Sequence, residues 1–399
     1  MALTTGACWS RPRPEGAAGG PDDASSPATA SAQPPGTALA SASAGASAAE
    51  RPAGVSAPLS DEAFGQLVAS ISEAGGAFPS ENLVSNETSF LHVVPALEAT
   101  ARRGGAYVGV GPEQNFTYLA ALQPELAFVA DIRRENLVLH LFYKVAFERS
   151  PTRVAFLSYL FSREAPAGVD QSAPIETVIG AVGQKHPGPE HVAGRVRDVE
   201  ERARQLGVKL SATDARSLRH LIEAFASKGT EVRYSMEGSA RSYPSLGELV
   251  ASRDDRGEAS SFLGSEARYA AVRRLQRENR VVPLVADFAG ARSFGAMGDE
   301  MRRRNLTLRV LYTSNVEQYL LEPSPRGASW AAWLRNVRSL PRDENSSFVR
   351  VYFDQGKPHP RQRSGHRTTS LVSPIEPFLE RAAATPFRSF FEVASFGAR

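Results

Sequence analysis

The sequence predicts an α/β protein with a mainly parallel sheet, a large and mostly helical insertion, and a disordered N-terminal segment. Short apolar runs of strand length alternate with amphipathic helical patterns, which is typical of parallel strands joined by helices. Between about residues 150 and 280 helical patterns dominate and the alternation stops. The first 58 residues are almost wholly Ala, Ser, Pro, Gly and Thr.

The composition is that of a globular chain, and it excludes several classes of protein. The 399 residues are 42% hydrophobic and 22% charged, close to globular averages. With 46 basic and 43 acidic residues the formal net charge is +3, which argues against nucleic acid as the partner. No apolar run reaches the roughly 18 residues of a membrane span. Cys8 is the single cysteine, which excludes an internal disulfide and a cysteine-based metal site.

The N-terminal segment, residues 1–58, carries few side chains that could form a core. It cannot bury enough apolar surface to offset its ordering entropy, so we predict disorder there and a folded domain over 59–399. The small residues directly before Cys8 resemble the end of a bacterial lipoprotein signal, although no basic and apolar regions precede them. Two interpretations stay open. Either Cys8 is lipidated behind a truncated signal in the cell envelope, or it is a chance cysteine in a cytoplasmic protein.

The predicted folded part begins with two helices and then alternates between strands and helices. Ser60 is a suitable N-cap for a helix over 61–74, and its first turn is acidic. A second amphipathic helix is predicted over 88–102. The alternation that follows comprises strand 106–111, helix 113–122, strand 126–131 and helix 133–148.

Residues 150–280 are predicted as an insertion between the second and third strands. Its helical patterns cover 152–162, 190–206, 213–228 and 264–279, with a short strand at 231–235. The alternation then resumes with strand 281–287, helix 291–304, strand 306–313, helix 329–339 and strand 347–353. A basic loop is predicted over 359–367, followed by one helix and an edge element over 375–396. The five strands are predicted to be neighbours in one sheet.

Glycines and polar side chains follow the predicted strands, at the edge where open α/β sheets bind ligands. Gly109 and Gly111 end the first strand, and glycines there let the backbone approach a ligand. Asp131 ends the second strand, 20 residues beyond Gly111. That spacing is typical of an acid that accepts hydrogen bonds from ribose hydroxyls. Asp287 follows the third strand and Asn315 follows the fourth.

Each of these signals alone also has a purely structural explanation. The two glycines could form a tight turn, and Asp131 could be an N-cap for the helix that follows it. Together with Glu113 and Glu317, which also follow strands, they predict one cleft for a small-molecule ligand. No grouping of His, Cys, Asp or Glu has the spacing of metal ligands, so no metal is predicted.

This order of residues resembles the Rossmann-like fold of class I S-adenosylmethionine-dependent methyltransferases. The resemblance implies that Gly109, Gly111, Asp131 and Asp287 bind S-adenosylmethionine, with Asn315 and Glu317 as catalytic candidates facing the substrate. The sequence is also similar to a bacterial family of unknown function with this fold. That second resemblance implies no particular activity, and it is carried by residues 107–115, 126–136, 281–290 and 311–319 and by Asn86-Glu87-Thr88-Ser89-Phe90.

Two positions depart from the methyltransferase pattern. The third glycine of the Gly-x-Gly-x-Gly loop is Glu113 here, and a carboxylate there could pair with the ammonium of the cofactor or obstruct it. Residues 315–318 also lack the prolines of the usual Asp-Pro-Pro-Tyr or Asn-Pro-Pro-Tyr motif. Two functions therefore stay open, because a fold does not fix a function. One is an S-adenosylmethionine-using enzyme, and the other is a non-catalytic, envelope-tethered binding protein.

Overall fold

The computed structural model describes residues 57–100, 104–239, 241–321, 327–354 and 356–398. These residues belong to one compact unit. Cys8 and residues 1–56 of the segment predicted to be disordered lie outside the described residues. Among the described helices, none is both long and apolar enough to cross a membrane.

Six strands form the central sheet, in the order β5-β3-β2-β6-β7-β8. All neighbouring pairs are parallel except β7 and β8, which are antiparallel. A separate antiparallel pair joins β1 to β4. The strands are β1 (Ser80–Glu81), β2 (Ala106–Gly109), β3 (Leu126–Asp131), β4 (Ser235–Met236), β5 (Val281–Val285), β6 (Leu308–Ser314), β7 (Ser347–Phe353) and β8 (Thr368–Pro374). The five predicted strands are neighbours in one mostly parallel sheet, which is compatible with a Rossmann-like fold.

Helices connect the strands and build the insertion. They are α1 (Asp61–Ile71), α2 (Val94–Thr100), α3 (Gln114–Leu122), α4 (Arg134–Arg149), α5 (Arg153–Leu160), α6 (Ile175–Gly183), α7 (Pro189–Gln205), α8 (Ala212–Lys228), α9 (Leu246–Ala251), α10 (Glu266–Arg277), α11 (Ser293–Arg303), α12 (Val316–Leu321), α13 (Ala328–Ser339), α14 (Ile375–Ala384) and α15 (Phe390–Ser395). Helices α5 to α10 lie between β3 and β5 in the chain, in the region where the insertion was predicted.

The predictions for the last part of the chain were wrong in two respects. Strand β8 was not predicted, and residues 375–396 form helices α14 and α15 instead of one helix and an edge element. The missed strand begins Thr368-Thr369-Ser370, which is not an apolar run. It is nevertheless buried, because the Ser89 hydroxyl bonds the Thr368 hydroxyl at 2.8 Å and the Ser370 hydroxyl at 2.9 Å.

The insertion covers one side of the sheet by enclosing α4. Every residue from 136 to 147 of this helix is buried. The helix contacts β3 and β5 on the sheet and α7, α8 and α10 of the insertion. A helix that is covered on all sides needs no polar face. For this reason the sequence of α4 shows only a weak alternation of apolar and polar residues. The insertion is thus part of the main hydrophobic core.

A buried ion pair joins α12 to β7. The Arg350 guanidinium bonds both Glu317 oxygens, at 2.5 and 3.0 Å, and both side chains are completely buried. Glu317 also accepts hydrogen bonds from the Trp333 indole at 3.0 Å and from the Thr313 hydroxyl at 3.1 Å. Four donors therefore satisfy one carboxylate. These contacts link β6, β7, α12 and α13.

Aromatic rings cover the other partner of this ion pair. The centre of the Arg350 guanidinium lies 3.6 Å from the ring centroid of Phe348 and 4.2 Å from that of Phe378. Its remaining nitrogen donates to the Ser373 hydroxyl at 2.8 Å. A buried charge needs such a full set of partners, because an unpaired one carries a large desolvation cost.

We predict that Glu317→Gln destabilises the protein by about 3–5 kcal/mol, because it leaves the Arg350 charge buried without a counter-ion. Urea denaturation of the variant and the native chain measures this difference. The control is Asp299→Ala, which removes an exposed partner of Arg302 and should change stability by less than about 0.5 kcal/mol. A loss below about 1 kcal/mol for Glu317→Gln would contradict the structural role of the pair.

Candidate functional site

The order of the strands creates a switch point between β2 and β6. From β2 the chain proceeds outward to β3 and β5 on one side, and later to β6 and β7 on the other. Ligands of open α/β sheets bind at the carboxyl ends of the strands at such a point. A cavity of about 300 Å³ opens there, a size at the lower end for small-molecule sites. Gly111, Asp131, Asp287 and Asn315, all predicted from the sequence, line this cleft.

The loop after β2 is held open by one buried amide. Asn115 Nδ2 donates to the carbonyl oxygens of Val110, Gly111 and Pro112 at 2.9, 3.2 and 2.8 Å. The Tyr107 hydroxyl donates to Asn115 Oδ1 at 2.7 Å, which fixes the orientation of the amide. Gly111 has a φ of +80°, a conformation that favours glycine. The loop is therefore a preformed turn whose carbonyl groups are turned toward Asn115.

His140 supports the same loop from α4. Its Nε2 lies 2.9 Å from the carbonyl oxygen of Gly111, so this nitrogen carries the hydrogen. Burial lowers the pKa of His140 to about 4, which keeps the ring neutral at physiological pH. His140 therefore holds the turn at Gly111 in place by donating a hydrogen bond from a neutral ring.

Gly109, which was predicted to bind the cofactor, does not line the cleft. It is a buried residue of β2, and a Cβ atom at this position would collide with Asn115 Oδ1 and with the Tyr107 hydroxyl. Glycine is thus required by the packing that orients Asn115. Gly109 thus affects the cleft indirectly, because it leaves room for the Asn115 side chain that holds the loop.

Glu113 turns away from the position expected for a cofactor partner. Both of its oxygens accept the backbone N–H of Ser85, at 3.1 Å each, and the side chain is buried. The pKa of Glu113 is raised to about 7, mainly by burial, and the charge of Glu87 contributes to this rise. The carboxyl group therefore fastens the segment that precedes Glu87 to the glycine loop.

Asp131 is paired with an arginine two residues later. Its oxygens accept the Arg133 guanidinium at 3.0 and 2.8 Å and the Arg133 backbone N–H at 2.9 Å. Arg133 also bonds the Ser80 hydroxyl at 3.1 Å. Both Asp131 and Arg133 line the cleft. The carboxylate retains about one of its four lone-pair directions for a ligand.

Asp287 and Asn315 lie on opposite sides of the switch point and are half-buried. Asp287 Oδ1 accepts the backbone N–H of Ala289 at 2.8 Å. Its second oxygen has no hydrogen-bond partner among the described residues. Asn315 follows Ser314, which has a φ of +51°, an uncommon value for a residue other than glycine. This turn carries the chain from β6 into the cleft.

The structure adds Glu87, which the sequence did not predict as a site residue. Glu87 lines the cleft and is 2% exposed. Its Oε1 accepts the hydroxyls of Tyr312 at 2.7 Å and Ser314 at 2.5 Å, and its Oε2 accepts the Gln114 amide at 2.5 Å. Burial raises the pKa of Glu87, and the hydrogen bonds from Ser314, Tyr312 and Gln114 oppose that rise. No cation forms an ion pair with it within the described part of the chain.

The seven predicted residues thus separate into two groups. Gly111, Asp131, Asp287 and Asn315 meet at the cleft, as expected. Gly109, Glu113 and Glu317 do not line the cleft, and Arg350 binds both carboxylate oxygens of Glu317. The sequence signal that could have pointed to Glu87 is the Asn86–Phe90 stretch, which overlaps the start of the helix predicted over 88–102.

The raised pKa of Glu113 predicts a pH dependence of stability. Its folded pKa is about 7 against an ordinary 4.5, so the folded state keeps a proton that the unfolded state releases between these values. Stability from this group is complete below pH 4.5 and falls by about 3 kcal/mol as pH rises through 7. We expect Glu113→Gln to gain that amount over the native chain between pH 4.5 and 8 in urea denaturation.

The exposed Glu62 provides the control for this measurement. The difference between Glu62→Gln and the native chain should stay within about 0.5 kcal/mol over the same pH range. If the Glu113→Gln difference is equally flat, Glu113 is ionised in the folded state at neutral pH and the prediction is wrong.

Comparison with known proteins places the chain in a family. A family model described as a domain of unknown function, DUF7790, matches residues 82–174 and 195–393. These ranges include Glu87, Gly111, Asp131, Asp287 and Asn315. No curated protein matches the chain. Because the matched ranges cover more than half of the sequence, the chain belongs to the DUF7790 family of domains of unknown function.

Proposed function

We propose that the cleft binds a cationic nucleoside cofactor of the S-adenosylmethionine type and that the protein is methyltransferase-like. The observation that carries the proposal is Glu87, a carboxylate 2% exposed at the switch point with neutral partners alone in the described residues. A buried carboxylate normally has a cation beside it. A ligand that brings a positive charge would supply that missing partner.

The other cleft residues fit the remaining parts of such a cofactor. The turn at Gly111 lets a ligand lie close to the backbone, and it is held in place without the ligand. Asp131 and Arg133 would contact the ribose of such a ligand. Asp287 lines the cleft after β5, and its second carboxylate oxygen, which has no hydrogen-bond partner among the described residues, could accept a hydrogen bond from an amino group of the base.

Glu87 would serve the reaction in two ways. When bound, S-adenosylmethionine supplies a methyl group attached to a positively charged sulfur. Glu87 would stabilise that charge, and its raised pKa suits it to take a proton from the accepting nucleophile. Ser314 and Tyr312 keep the carboxylate in place through their hydroxyls. Asn315, next to Ser314, remains the candidate for contact with the substrate.

Calorimetric titration of the full chain with S-adenosylmethionine and S-adenosylhomocysteine tests the proposal. The first ligand carries the sulfonium charge and the second lacks it. Glu87→Gln should therefore weaken binding of S-adenosylmethionine by about tenfold or more, and that of S-adenosylhomocysteine by less. Asp287→Ala should weaken both ligands. Asp299→Ala, at an exposed site, is the control for both variants.

Three results would count against this function. If neither ligand binds at about 1 mM, its dissociation constant is far higher than that of a resident cofactor. That result would contradict the cofactor assignment. Equal weakening of both ligands by Glu87→Gln would place the carboxylate away from the sulfur. Tight binding without methyl transfer to any acceptor would favour the alternative, a non-catalytic binding protein.

The thermal transition of each variant checks that the variant is folded. Glu87→Gln should be at least as stable as the native chain above pH 7, because it removes a buried charge.

A further inference from the structure

A second cavity of about 420 Å³ adjoins the cleft on the side of β7 and β8. Asn86, Arg241, Tyr243 and Phe353 line both the cleft and this second cavity. A molecule in the second cavity can therefore extend into the cleft. The walls come from the insertion, from the end of β7 and from the basic loop 359–367 that the sequence predicted without a role.

Two arginines in this cavity have no counter-ion in the described residues. Arg241 and Arg367 both line it and both are exposed. The neighbouring Arg233 differs, because Glu231 and Glu248 bond its guanidinium at 2.9 Å each. Arginine is the side chain best suited to bind carboxylate or phosphate through paired hydrogen bonds.

The acidic groups of the cavity are engaged elsewhere. Glu248 is paired with Arg233 and also accepts the backbone N–H of Ser245 at 2.6 Å. Asp354 accepts the backbone N–H of Gly356 at 2.9 Å and the Gln362 amide at 3.2 Å. Three guanidinium groups therefore face two occupied carboxylates in this cavity. The three arginines outnumber the two carboxylates, which leaves the cavity with one excess positive charge.

The segment 86–88 connects this positive region to Glu87. Asn86 lines both cavities, Glu87 lines the cleft, and Thr88 lines the second cavity. A molecule that bridges the two would thus have one end beside a carboxylate and the other beside arginines that have no counter-ion in the described part of the chain. The two ends favour opposite charges.

We infer that the second cavity binds the anionic group, a carboxylate or a phosphate, of the acceptor substrate, whose nucleophile then reaches Glu87. The acceptor role rests on the proposed function, whereas anion binding at Arg241 and Arg367 does not depend on it. In the reaction the nucleophile forms a bond to the methyl carbon, the bond from that carbon to sulfur breaks, and the proton of the nucleophile passes to Glu87. The products are a methylated anion and S-adenosylhomocysteine.

The test uses small probes of similar shape and different charge on the full chain without cofactor. Benzoate and phenyl phosphate represent the two anions, and benzamide is the neutral counterpart; ligand-observed NMR titration gives each dissociation constant. At least one anion should bind fivefold or more tightly than benzamide. The tighter of the two identifies the group that the cavity accepts. In the double variant Arg241→Gln/Arg367→Gln that preference should disappear.

A second double variant, Arg335→Gln/Arg361→Gln, removes the same charge from exposed arginines that do not line the cavity. It should keep the native preference for the anion. Equal binding of benzamide and both anions, or equal loss in the two double variants, would overturn the inference. Titration of the native chain with S-adenosylmethionine separates the two proposals: an anion preference without cofactor binding keeps the anion site and removes its role as acceptor site.

Discussion

The cleft depends on the buried ion pair between Glu317 and Arg350. It holds the first turn of α12 against β7, so the chain must turn as soon as it leaves β6. The consequences are the left-handed φ of Ser314 and a register shift between Tyr312 and Ser314 in the pairing of β6 with β7. Strain of this kind costs of order 1–3 kcal/mol and persists where the surroundings fix it. The turn it fixes directs the Ser314 hydroxyl to Glu87.

The buried carboxylates of this molecule differ in whether an arginine is paired with them. Glu317 and Asp131 each face an arginine, as buried charges usually do. Glu113 has no arginine but bonds a backbone N–H, and its pKa of about 7 leaves it partly protonated at neutral pH. Glu87 is bonded to a neutral amide and two hydroxyls and, unlike Glu113, lines the cleft. Among the buried acids of the described residues that lack an arginine, Glu87 is therefore the one that a ligand in the cleft could reach.

The sequence predicted the parts of the fold that are coded locally. The apolar runs of β2, β3, β5, β6 and β7 and the spacing from Gly111 to Asp131 are visible within short windows. Contacts between residues that are far apart in the sequence are not visible in such windows. Glu317 meets Arg350 33 residues later, and Glu87 meets Tyr312 225 residues later. The sequence therefore predicted Glu317 at the cleft, which it does not line, and did not predict Glu87, which does. Strand β8 was missed because its buried hydroxyls pair with Ser89, from the segment before β2.

The insertion completes the site that the sheet begins. Tyr234, Met236, Arg241 and Tyr243 all come from it and line the cleft opposite the strand ends, and the pairing of β1 with β4 ties this wall to the segment before Glu87. The family match includes these residues but leaves out 175–194, which spans α6 and the start of α7 away from the cleft. Under the proposed function, the sheet would supply the half of the site that binds the nucleoside, and the insertion would supply the half that contacts the acceptor. Selection among acceptors is accordingly expected to reside in residues 233–243 more than in the strand ends.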